Sequence, residues 1–260
     1  MNNPRAYGTL PFNVALVHGG PGAAGEMAPV AHELASRFGV LEPFQTASWL
    51  EGQVEELRTI LENNANLPVT LTGFSWGAWL SFILAARYPA MVKKLILIGS
   101  GPFEERYAAG IQSTRLSRLS TREKREVESL SRILDDPSAK DKDTAFARLG
   151  ALLSKADACD PMAGEAEGID CRFDIFESVW KDASEMRRSG KLLELAKRIE
   201  CPVTAIHGDY DPHPAKGVQK PLATALKSFR FVLLKRCGHR PWIERQTRDE
   251  FYRILEGELG

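Results

Sequence analysis

Short, nearly continuous apolar runs recur along the chain at Phe12 to Val17 (FNVALV), Leu67 to Thr72, Lys94 to Ile98, Pro202 to Ile206 and Phe229 to Leu234, with a weaker one at Gly39 to Phe44. Runs of this length without polar alternation are the pattern of parallel strands buried on both faces. Between them lie segments of helical character, roughly Glu26 to Arg37, Glu51 to Asn63, Trp76 to Arg87, Ala215 to Leu226 and Pro241 to Glu256. Strands alternating with helices predict an α/β fold, a mostly parallel open sheet of about six strands with helices on both faces.

The alternation stops between about Glu104 and Ile199. That stretch of 96 positions holds 19 acidic and 18 basic residues, against 31 charged residues in the other 164. Within it Arg115 to Leu134 and Glu177 to Ile199 read as charged amphipathic helices. The expected organisation is therefore a core built from residues 1–103 and 200–260, with 104–199 inserted as a helical lid too polar to have a large core of its own.

Composition narrows the function classes. Lys plus Arg and Asp plus Glu both number 34 in 260 residues, so there is no charge footprint for a polyanion, and nucleic acid is not expected as a partner. No apolar stretch reaches the ~18 residues of a membrane span, and Met1 to Asn13 lacks a signal-peptide pattern, which points to the cytoplasm. Cys159, Cys171, Cys201 and Cys237 lie far apart, with no C-x-x-C pair. They read as idle thiols rather than a metal site or a disulfide framework.

Chemistry concentrates at four turns. Gly73-Phe74-Ser75-Trp76-Gly77 follows a strand and opens an apolar helix, the setting of a nucleophile elbow, where glycines flanking Ser75 remove the Cβ atoms that would collide in a strained turn. A serine hydroxyl needs a histidine to take its proton and a carboxylate to orient that histidine. His207-Gly208-Asp209-Tyr210-Asp211 follows one late strand and Cys237-Gly238-His239 the next, in the order Ser, Asp, His. His239 is the candidate base. Asp211 is favoured over Asp209 as its partner because it lies further into the turn, where a side chain projects toward the carboxyl end of the sheet. His207 and His213 read as structural.

The fourth turn is His18-Gly19-Gly20-Pro21-Gly22, after the first run. Its glycines free backbone N–H groups to face a substrate oxygen, so the amides of Gly20 and Trp76 are the candidate oxyanion hole. A rival reading exists, because Gly20-Pro21-Gly22-Ala23-Ala24-Gly25 satisfies G-x-G-x-x-G, the dinucleotide fingerprint. Pro21 removes a donor from that loop, and the rival leaves Ser75, Asp211 and His239 without a role.

These residues resemble the α/β-hydrolase superfamily. The loop His18 to Gly22 is similar to the H-G-G-P-G of prolyl iminopeptidases and their relatives, Gly238 to Glu244 resembles G-H-x-P-W-x-E, and His207 to Asp211 resembles H-G-x-x-D, whose last residue is the triad acid. The resemblance implies a lid between the sixth and seventh strands of eight. Only about eleven residues precede the first run, so the usual first two strands are expected to be missing. It also implies a serine hydrolase that cleaves a small ester, thioester or amide of a small molecule or short peptide, using Ser75, Asp211 and His239, with no metal or organic cofactor. A prolyl iminopeptidase-like aminopeptidase is the nearest alternative, and a non-catalytic small-molecule receptor on the same fold a more distant one. The aminopeptidase would need acidic lid residues for the substrate amine. The acidic segment Ala156 to Glu177 reads instead as a solvated face.

The sequence leaves the oligomeric state open. In the insertion, Phe173, Phe176 and Trp180 fall at i, i+3 and i+7, one face of a helix. They are expected to pack the lid on the body and to wall an acyl pocket beside Ser75.

Overall fold

The computed structural model describes residues 3–163 and 170–260. Its main sheet has seven strands: β1 (Arg5–Tyr7), β2 (Phe12–Val17), β3 (Gly39–Glu42), β4 (Val69–Phe74), β5 (Val92–Ile98), β6 (Val203–Gly208) and β7 (Phe229–Leu234), in the order β1-β3-β2-β4-β5-β6-β7. The six strands read from the apolar runs are all present and mutually parallel. β1 is a seventh, antiparallel to β3 at the sheet edge. It has only three residues, RAY, two of them polar, and an edge strand of that kind carries no apolar run to betray it.

Every residue of β4 and β6 is buried. Successive residues of β2 serve opposite faces, as the two-residue period of a strand requires. Ala15 and Val17 join the cluster that contains α2 (Leu50–Asn64), α3 (Trp76–Arg87) and α9 (Lys216–Ala225). Val14 and Leu16 join the one that contains α1 (Ala28–Leu34) and α10 (Arg248–Leu259). Only Arg87 of α3 escapes burial, which explains a helix that is apolar all round.

From β2 the chain steps to β3 on one side and then to β4 on the other. The loops after β2 and β4 therefore diverge at a reversal of strand order, where a crevice opens at the carboxyl ends of a parallel sheet.

Between β5 and β6 lie α4 (Ile111–Ser117), α5 (Thr121–Asp135), α6 (Lys142–Asp157), α7 (Phe173–Arg188) and the short α8 (Lys191–Glu194). The single helix expected from Arg115 to Leu134 is broken at Ser120, which caps α5 through a reciprocal box with Glu123, a signal readable in the sequence as S-x-x-E. The last predicted helix is likewise split, into a 3-10 turn at Pro241–Ile243 and α10. No described helix is long and apolar enough to cross a membrane. All four cysteines are free thiols.

Candidate active site

Ser75 stands between β4 and α3 with φ +52° and ψ −111°, a backbone conformation that L side chains rarely adopt. The turn survives because its flanks are bare. A Cβ on Gly73 would collide with the Gly77 carbonyl, and one on Gly77 with the carbonyls of Val17 and His18. The amide of Ser75 donates to Ile98 O at 2.9 Å, tying the turn to β5.

Three residues from three loops meet here. Ser75 Oγ lies 3.1 Å from His239 Nε2, and His239 Nδ1 lies 2.7 Å from Asp211 Oδ2. An ionised carboxylate only accepts, so Nδ1 carries the ring proton and Nε2 is left to receive the serine hydrogen. Asp209, the other carboxylate of that turn, points elsewhere and accepts the amide of Arg236 at 2.6 Å.

Burial favours an uncharged Asp211, but the imidazoles of His239, His213 and His207 prevail and hold its carboxyl well below the usual range. Burial likewise works against a charged His239. Asp211 and, behind it, Asp157 nonetheless raise its pKa above the ordinary value, with Arg115 opposing. Asp211, His213 and His239 offer ligand atoms within 4.8 Å of one another, the one grouping of that kind among the described residues. The same atoms are engaged in direct hydrogen bonds at 2.7 and 2.8 Å, so the trio forms a proton network in this arrangement.

Ser75 and His239 open onto a cavity of about 660 Å³. Gly20 lines it, and Trp76 begins α3, where first-turn amides have no partner within the helix. Gly20 thus shares the cavity with Ser75, and Trp76 follows Ser75 directly in the chain. His18 donates from Nδ1 to Gly19 O at 2.6 Å within the same loop, and burial keeps its ring uncharged by lowering its pKa. The dinucleotide rival fails on shape. Ala23–Ala24 pairs as a short antiparallel ribbon with Asp170–Cys171, and α1 begins only at Ala28, so no helix starts on the glycine turn.

The opposite wall comes from α6. Phe146, Ala147, Gly150, Ala151 and Ser154 face the cavity at helical spacing, small side chains leaving most of the room. Phe173, Phe176 and Trp180, expected to wall an acyl pocket, are not among its described lining residues. Phe173 and Phe176 pack against Phe146 at centroid distances of 5.7 and 4.6 Å, and Trp180 stacks on Trp79 of α3 at 5.7 Å. The apolar stripe was real. Along this face of α7, Phe173 and Phe176 meet α6, whose Phe146 lines the cavity, and Trp180 packs on the body through α3.

Charged side chains that the sequence reading gave no role also line this space: Glu26, Arg115, Lys155, Asp157 and Arg240. Arg115 grips Asp157 through two hydrogen bonds of 2.7 and 2.6 Å, and Asp157 O accepts the amide of His239 at 2.9 Å. Glu26 lies 3.9 Å from Arg240, and burial pushes its carboxyl up against the opposing pull of Arg240 and His239. Buried Glu244, the final residue of the G-H-x-P-W-x-E stretch, accepts the amides of Gly238, Cys159 and Asp160 at 2.9, 2.8 and 2.7 Å. That carboxylate ties the His239 loop to the end of α6. Of the acidic segment Ala156 to Glu177, Glu165 and Glu167 lie outside the described residues.

A family model described as alpha/beta hydrolase fold matches residues 50–245. No curated protein sequence matches the chain. Similar solved structures include the monoacylglycerol lipase of Paleococcus ferrophilus, 17% identical with TM-score 0.63, covering 100% of this chain and 99% of that one. The meta-cleavage product hydrolase of Pseudomonas fluorescens IP01 is 18% identical with TM-score 0.65, over 98% and 93% of the two chains. Est816, described as an N-acyl homoserine lactone degrading enzyme, is 13% identical with TM-score 0.63, over 98% and 95%. At these identities the likeness is one of fold.

Proposed function

Because the chain belongs to the alpha/beta hydrolase fold family, we propose that it is a serine hydrolase cleaving a small ester, thioester or amide through an acyl-enzyme. The observation that carries this reading is the unbroken hydrogen-bond chain from Ser75 Oγ through His239 to Asp211 at the floor of the cavity.

In this mechanism neutral His239 takes the Ser75 proton as Oγ bonds to the substrate carbonyl carbon. The amides of Gly20 and Trp76 hold the oxygen that becomes negative. Asp211 stabilises the imidazolium, which then protonates the leaving group as its bond to carbon breaks. Water, deprotonated by the same imidazole, attacks the acyl-enzyme and frees Ser75. Residues 104–199 act as a lid on a core of 1–103 and 200–260, and an apolar acyl group lies along α6 and Phe146.

An ester or thioester fits better than an aminoacyl substrate. Among the described residues lining the cavity the carboxylates are Glu26 and Asp157, and each faces an arginine rather than open space for a substrate amine. A fluorophosphonate probe should label Ser75, located by mass spectrometry of the peptide, and Ser75→Ala should abolish labelling. A panel of p-nitrophenyl esters beside aminoacyl-nitroanilides should show turnover of the esters. Absence of both labelling and turnover would favour a non-catalytic receptor, and nitroanilide cleavage alone would favour the aminopeptidase.

A further inference from the structure

Asp211 accepts ring N–H bonds from two imidazoles, and a third ring, His207, lies with its Nε2 3.5 Å from Oδ2. Its Oδ2 accepts Nδ1–H of His239, while Oδ1 accepts two hydrogen bonds from a single residue, the backbone amide of His213 at 2.9 Å and its ring Nδ1–H at 2.8 Å. The His213 side chain is 12% exposed, and its ring centroid lies 4.6 Å from that of His239. Its carbonyl accepts Nε2–H of buried His207 at 2.8 Å, which fixes the turn from below. An Asp turn needs only the backbone donor. The ring donor is an addition, and it sits on the carboxylate oxygen that His239 does not use.

We propose that His213 is a positioning residue for His239, a neutral imidazole whose Nδ1–H locks the plane of the Asp211 carboxylate, aims Oδ2 at His239 and disperses part of the charge. The inference rests on reading Asp211 and His239 as partners of Ser75. With one donor fewer on Oδ1 the carboxylate is freer to rotate about Cβ–Cγ, and more of its charge falls on the oxygen facing His239. His213 faces Asp211, His239 and, from α4, Arg115. Burial outweighs the attraction of Asp211 and pushes its pKa down to about 4, so at neutral pH it donates without adding charge. His239 faces Asp211, Asp157, Arg115 and Glu26.

The test compares His213→Phe, a ring without a donor, with His213→Asn, whose amide nitrogen takes the place of Nδ1. Two readouts are needed: the pH dependence of kcat/KM on p-nitrophenyl butyrate, and NMR titration of the His239 ring in the whole chain without substrate. In the Phe variant both the acid limb of the rate profile and the ring titration should move to higher pH, and kcat should fall about ten-fold, the scale of one lost charge-assisted hydrogen bond. The Asn variant should return both readouts close to wild type. If the Phe variant does not fold, His213→Ala removes the same donor. A folded Phe or Ala variant with wild-type titration and kcat, or an Asn variant as impaired as the Phe one, overturns the inference. Should the wild-type protein neither turn over esters nor take the fluorophosphonate, the hydrolase reading has failed, while the His239 titration still decides the role of His213.

Discussion

The sheet and the inserted helices are built on different physics. The β4–Ser75–α3 unit is buried along nearly its whole length, and it contributes to a hydrophobic cluster shared by the sheet, α2, α3, α9 and, from the insertion, α7 and α8. In α5, by contrast, Val127 and Leu134 alone are buried, and its neighbours form two small clusters laced with exposed ion pairs such as Lys155–Glu123 and Arg148–Glu126. Ser75 stands on the buried part, while α6 supplies the wall that it and His239 face. α7 joins the sheet's own cluster through Ile175, Val179, Ala183 and Trp180, and polar ties add to it: Asp157 O to the His239 amide, the Glu244 carboxylate to both sides, and Arg118, which donates to Tyr210 O and lies 3.6 Å from the centre of its ring.

The largest break in this comparison should come at the floor. Ser75→Ala or His239→Ala should each lower kcat by roughly 10⁴-fold or more with the melting temperature little changed, and the double variant should be scarcely worse than either. Fully additive losses would separate the two residues. Asp211→Asn should approach the same loss, because an amide favours the wrong imidazole tautomer. Asp209→Asn, by comparison, should disturb only the turn around Arg236.

Next comes the seam between the regions. Glu244→Ala leaves three amides without their acceptor and should cost on the order of 3 kcal/mol in urea unfolding, with kcat falling because the His239 loop loses its tie to α6. Unchanged stability and unchanged kcat together would mean the carboxylate is not what joins sheet and insertion.

A third test uses acid. His213 has a folded pKa near 4, below the unfolded value of about 6.5, so the unfolded chain binds the extra proton between those limits. Stability should fall as pH drops from 6.5 toward 4 by up to roughly 3 kcal/mol from this group, offset in part by His239, whose raised pKa acts in the opposite direction. In His213→Asn the urea midpoint should lose less over that range. Kinetically, kcat/KM should rise with pH through the raised pKa of His239, since the base must be uncharged.

The smallest effect sharpens the roof. Phe146→Ala should change the ranking of acetyl, butyryl and octanoyl esters in kcat/KM, by about 1 kcal/mol per methylene fitted or lost. Phe176→Ala, one layer behind, should scale all three alike. The reverse outcome would return the acyl wall to α7.

By itself the sequence determined the six parallel strands and most of the helices between them, and it singled out Ser75, Asp211 and His239 as candidates, because each is announced locally. A strand buried on both faces needs an unbroken apolar run, a strained turn needs flanking glycines, and a catalytic turn follows its strand directly. Only the tertiary structure decided which surfaces meet. β1 is held by pairing with β3 rather than by any pattern of its own, and the apolar face of α7 was legible while its division between α6 and the α3 side of the core was not. Glu26, Arg115 and Asp157 look in sequence like ordinary surface charges, and Glu244 was legible as a motif position but not as an acceptor of three amides. Their roles arise because segments far apart in the chain converge on one histidine loop, and His213 became more than a turn residue once Asp211 was seen to hold it and His239 together. Periodicity reports that a face must be buried; the packing of one element on another chooses against what.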